Sequence, residues 1–117
     1  MKGLKQFIQF DLESFLEDKE ITFLDAKPFY LYENGKATDQ AAGMKLECVI
    51  TRDDTIYNNK EITNEYEKVS IKIPGATKVG IQRGSKLKIQ GTGKVWGDYS
   101  QNLSIEATNV QVIKDDR

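Results

Sequence analysis

The sequence predicts an all-β fold, a small barrel of five strands, preceded by one amphipathic helix. Three observations lead there. Apolar residues alternate with polar ones in short runs: Met44, Leu46, Cys48 and Ile50; Val69, Ile71 and Ile73; Leu87, Ile89 and Val95. The runs are rich in β-branched residues and are separated by turn chemistry such as Asn34-Gly35 and Gly97-Asp98. The 117 residues fit one domain with its own core, spanning 1–117. Strands of this kind leave edges that invite aggregation, and closure into a barrel removes them.

The elements follow in chain order. Residues 3–18, GLKQFIQFDLESFLED, read as a helix, because Leu4, Phe7, Ile8, Leu12, Phe15 and Leu16 recur at helical spacing. Phe10 falls off that stripe. The helix is expected to cover part of the core. Its acidic polar face argues against an anionic membrane surface. Ile21 to Tyr32 reads as strand one, bent at Pro28. Asn34-Gly35 is a turn, and KATDQAAG after it reads as loop or as the end of a long hairpin. Strand two is Met44 to Thr51. Arg52 to Asn64, polar with Ile56, Tyr57 and Ile62, reads as an extended hairpin tip. Strand three is Tyr66 to Ile73. Pro74 to Gly84 carries too much proline and glycine for a full helix. Strands four and five form a hairpin from Lys86 to Ile113, with a phase shift at Thr108-Asn109 that a bulge would explain. Residues 114–117 read as a frayed tail.

Composition narrows the function. There are no histidines, and the single cysteine, Cys48, sits in an alternating apolar series that suits core packing. One cysteine forms no internal disulfide, which fits a reducing cytoplasm. No apolar run is long enough for a membrane span, and the N-terminus does not match a signal peptide. Gly91 to Gly97, GTGKVWG, lacks the spacing of a phosphate-binding P-loop. Asp53-Asp54 suits a solvated tip better than a cation site. No catalytic residue, metal or cofactor is expected. The net charge of -1 hides a segregation: residues 68–97 carry six lysines and Arg83 with no acid, while residues 1–67 are net acidic. A local positive field of this kind attracts phosphates even on a nearly neutral chain.

The segment KVSIKIPG … GSKLKIQGTGKVWGDYSQNLSIEATNVQVI resembles the C-terminal half of single-stranded-DNA-binding OB domains. There, a strand with glycine and valine enters a flexible loop, and the return strand ends in A-x-N-V, here Ala107-Thr108-Asn109-Val110. The resemblance covers residues 66–113 and implies a five-stranded OB-like barrel. Size and Lys-, Asn- and Ile-rich composition resemble the small phage or conjugative-element members of Gram-positive bacteria, which implies a role in phage or plasmid DNA replication or transfer in a bacterial cytoplasm. Two features depart from the housekeeping members. The chain stops at KDDR instead of an acidic recruitment tip, so recruitment of replication proteins does not carry over. The strand-three-to-four helix is missing, so the familiar tetramer does not carry over either, which leaves a homodimer or higher oligomer open.

Single-stranded nucleic acid offers phosphates and unstacked base faces. Lysines neutralise the first, and aromatic rings stack on the second at about 1–3 kcal/mol per base. By parity, Tyr66, Lys68 and Lys72 share the outer face of strand three, and Lys86, Lys88, Lys94 and Trp96 that of strand four. Trp96 and Tyr99 form the expected stacking platform, and Tyr57 on the opposing hairpin closes the groove. The expected binding is salt-sensitive with little sequence preference, and the sequence leaves DNA against RNA open. The bland alternatives are a Trp96 that covers the barrel mouth and lysines that protect an edge strand. Glu47 and Glu106 dilute the positive face. The rival function is a β-barrel protein–protein adaptor or structural component of a phage or conjugation complex, docking through edge strands, the helix or the aromatic hairpin tip.

Overall fold

The computed structural model describes residues 1–98 and 101–113. Its five strands are β1 (Lys19–Glu33), β2 (Lys36–Asp53), β3 (Lys68–Pro74), β4 (Lys86–Trp96) and β5 (Asn102–Ile113). They close into a barrel in the order β1-β2-β3-β5-β4. Neighbours run antiparallel except β3 and β5, which meet in parallel at Ile71–Ile105 and Lys72–Glu106. The ring shuts where Ile21 and Thr22 of β1 meet Leu87 and Lys86 of β4. This is the expected OB-like barrel. Alternation sends Ile21, Phe23, Leu46, Cys48, Ile50, Val69, Ile71, Leu87, Ile89, Ile105 and Ala107 into one buried core drawn from all five strands. Residues 75–85 contain no helix, and Val79 and Ile81 of this loop pack against the core.

Two hairpins reach beyond the ring. Past Phe29–Gly43, β1 and β2 continue as a two-stranded ribbon to the turn at Asn34-Gly35. Both turn residues have positive φ, 52 and 77, which an Asn-Gly pair adopts readily. Residues 36–43 are therefore strand. Their small polar side chains carry little strand preference, and the turn and the aromatic partner strand supply the register instead. In the second hairpin, Gln90 faces Asn109 and Gly91 faces Ala107, which leaves Thr108 as the bulged residue. That is the phase shift expected from the sequence.

The N-terminal segment corrects the single-helix reading. It forms a 3-10 turn at Leu4–Phe7, an extended link, and the helix α1 at Leu12–Glu17. Asp11 restarts the helix, because its carboxylate accepts hydrogen bonds from the Ser14 backbone N–H at 3.1 Å and hydroxyl at 2.7 Å. Phe10 is the anchor. It bridges Gly93 of β4 and stacks at an angle on Phe15, with ring centroids 5.3 Å apart. Gly93 makes room for it, since a Cβ there would lie 2.7 Å from the Phe10 ring. Leu12 is buried in the core, and Phe15 and Leu16 pack against it. Leu4, Phe7 and Ile8, counted in the helical stripe, are exposed instead.

Candidate nucleic-acid interface

Register decides which side chains share the outer wall. Lys27 of β1 faces Lys45 of β2, and Lys45 faces Lys72 of β3. Lys72 in turn faces Glu106 of β5, which faces Thr92 of β4. Three adjacent strands thus place a lysine at the same position. Like charges directly opposite one another destabilise a sheet. Lys45 finds partial relief in Glu47 at 3.4 Å, whose other oxygen accepts a hydrogen bond from Ser70 at 2.9 Å. Phe29 extends the row. It lies opposite Gly43, where a Cβ would come within 2.7 Å of its ring, and the Lys72 ammonium stands 5.2 Å from the ring centroid.

The remaining residues flank this row. Lys68 is exposed at the start of β3. Tyr66 lies just before the strand, in the left-handed region at φ 72, with its ring 74% exposed. Its backbone is fixed by a 2.6 Å hydrogen bond from its N–H to the Ile50 carbonyl. On β4, Lys94 is exposed opposite Ser104, two positions along from Glu106 on the same face of β5. Trp96 ends the strand opposite Asn102 and is 54% exposed, so it does not plug the barrel mouth. At about 3.3 Å per residue and 4.8 Å per strand, Trp96 stands about 16 Å from Lys72. Tyr99 lies outside the described residues.

Lys86 and Tyr57 stand apart, while Lys88 and Trp96 lie four residues either side of Thr92 on β4, each about 16 Å from Lys72 and about 26 Å from one another. Lys86 is further still, and its ammonium bonds to the Glu20 carboxylate at 2.8 Å. That bond, helped by Thr51, lowers the Glu20 pKa. Tyr57 belongs to a different cluster. Its hydroxyl donates to Asp53 at 2.8 Å and accepts from the Asn64 amide at 2.7 Å. Asp53 also accepts the backbone N–H of Asn64 and of Thr55, at 2.8 and 3.1 Å. The Lys19 ammonium completes the cluster. It lies 3.4 Å from Asp53, donates to Thr55 and the Phe15 carbonyl at 2.8 Å each, and sits 3.9 Å from the Phe15 ring centroid. Neither the Lys19 nor the Asp53 side chain has exposed surface. Burial alone would raise the Asp53 pKa, but the converging hydrogen bonds hold it well below the usual carboxylate range. The cluster ties α1, β1, β2 and the loop after β2 together.

Sequence parity missed Lys27, Lys45 and Phe29. Their segment is net acidic, and nothing local signals that β2 will lie between two other lysine-bearing strands. On the ribbon, Tyr30 and Tyr32 are exposed. Cys48 is buried, and burial, with Glu47 beside it, pushes its thiol up to about 12, which leaves it unreactive. Among the described residues, no cluster of three or more histidine, cysteine or acidic side chains is placed to hold a metal. No helix among them is long and apolar enough to cross a membrane. Comparison with protein-family models, with curated proteins and with solved structures finds no match.

Proposed function

We propose that this protein binds single-stranded DNA, with little sequence preference, along the outer wall of β1, β2 and β3 and the two projecting hairpins. The observation that carries this reading is the row Lys27–Lys45–Lys72, with the Lys72 ammonium beside the Phe29 ring. Glu47 and Glu106 offset the charge of these three lysines only in part, and a polyanion can neutralise the rest. Rings at Tyr66 and Trp96 and on the ribbon supply base-stacking surfaces, and stacking tolerates any base. The binding is non-catalytic. Its setting is the single strand exposed when phage or plasmid DNA is replicated or transferred inside a bacterial host, and RNA is the competing ligand.

Titration with oligo-dT, followed by Trp96 fluorescence at two salt concentrations, tests the reading. Quenching that weakens as salt rises is expected. A flat signal with no gel shift at low salt would remove nucleic acid as the ligand and return the barrel to the adaptor class.

A further inference from the structure

On one side, β4 is open between its neighbours. β1 pairs with it only at Lys86 and Leu87, and Phe10 bridges it only at Gly93. Among the described residues, no strand pairs with Lys88–Thr92 on that side. α1 runs alongside, and between helix and strand edge lies a groove of about 660 Å³. Leu12, Leu16, Ile89 and Ile113 give it an apolar floor. Glu13 and Glu17, one helical turn apart and exposed on α1, line one wall, with Lys88 on the other. An apolar groove with a bare strand edge takes an extended segment by strand addition.

The same chain carries a segment of matching character. Residues 1–9, MKGLKQFIQ, contain Lys2 and Lys5 and no acid. Leu4, Phe7 and Ile8 in that stretch are 52%, 73% and 75% exposed, and its 3-10 turn buries nothing. It does not reach its own groove. Phe10 pairs antiparallel with Gly93, so the residues before it head toward Val95 and the hairpin tip, away from Leu87–Gly91. We propose that the groove receives residues 1–9 of a second copy. Phe7 and Ile8 cover the apolar floor, and Lys2 and Lys5 face Glu13 and Glu17. Reciprocal exchange closes a two-fold dimer. The interface does not use the lysine row, so it is independent of the DNA-binding reading.

Sedimentation of the full chain across a concentration series tests this, with circular dichroism confirming that each variant is folded. A concentration-dependent monomer–dimer equilibrium is expected. The exposed pair Phe7→Glu and Ile8→Glu should weaken dimerisation by more than about tenfold. Glu13→Lys with Glu17→Lys, and separately Lys2→Glu with Lys5→Glu, should each weaken self-association. Mixing these two charge variants should restore both exchanged contacts, one in its original sense and one with the charges reversed, and yield a heterodimer. A monomeric wild type up to about 200 µM overturns the proposal. So does a dimer indifferent to Phe7 and Ile8, or a charge-variant mixture no stronger than either variant alone.

Discussion

Tyr66 holds a positive φ that costs a non-glycine side chain about 1–3 kcal/mol, and yet its ring faces solvent. The bend serves the fold, because Tyr66 and Glu67 both bond to Ile50 through their backbones, but it does not need the ring, which beside Lys68 suits base stacking. Tyr66→Gly relieves the strain and adds some freedom to the unfolded chain. Stability should stay level or rise by about 1 kcal/mol in urea melts, while oligo-dT affinity falls by about 1–3 kcal/mol. Unchanged affinity would remove Tyr66 from the interface. Asp53 shows the opposite economy, since every bond it makes serves the fold. A carboxylate whose folded pKa is depressed contributes stability that is present above the unfolded value near 4 and is lost as pH falls below it. Stability should therefore drop between about pH 5 and pH 1, and Asp53→Asn should flatten that part of the profile. Asp53→Ala leaves Lys19 buried without its counter-charge and should cost about 3–5 kcal/mol at neutral pH. An acid limb equally steep in Asp53→Asn would show that other carboxylates set it.

At the scale of elements, what the sequence disclosed follows from where each element finds its partners. The β4–β5 hairpin was legible down to its bulge, because its alternation, turn and phase change all lie within one contiguous stretch. Residues 36–43 were not, because an alanine- and polar-rich strand exists only through the aromatic strand opposite. The N-terminal stripe misled for a related reason: Asp11 caps α1 and Phe10 is pulled into the gap over Gly93, both stronger constraints than helical periodicity. The ribbon is the element most exposed to test. A two-stranded ribbon adds little to barrel stability. Tyr30 and Tyr32, 41% and 74% exposed, pack little against it. Replacing both with alanine should shift the melting free energy by no more than about 0.5 kcal/mol. The same change should weaken oligo-dT binding severalfold if the ribbon stacks on bases. A loss of stability without a loss of binding would make the ribbon a structural brace.

For the molecule as a whole, the run of positive charge from residue 68 to 97 falls on β3 and β4, whereas the lysine row crosses β1, β2 and β3. Barrel closure breaks that run apart. It sends Lys86 to Glu20, then recruits Lys27 and Lys45 from the net-acidic part of the chain to stand beside Lys72. A one-dimensional charge count cannot contain this information, because sheet register is fixed by the pairing of distant segments. The row makes a prediction that separates a phosphate-binding wall from chance. Each lysine that neutralises a phosphate on a single strand adds about 0.7 to the slope of log affinity against log salt. Changing Lys27, Lys45 and Lys72 together to glutamine should reduce that slope by about 2. Because lost repulsion among the three is offset by the lost attraction of Lys45 to Glu47 and of Lys72 to Glu106, the variant's stability in low salt should stay within about 0.5 kcal/mol of the parent's. Reduced slope with preserved stability is the signature of charges arranged for a ligand. An unchanged slope would mean that the three ammonium groups do not meet phosphate, whatever else the barrel binds.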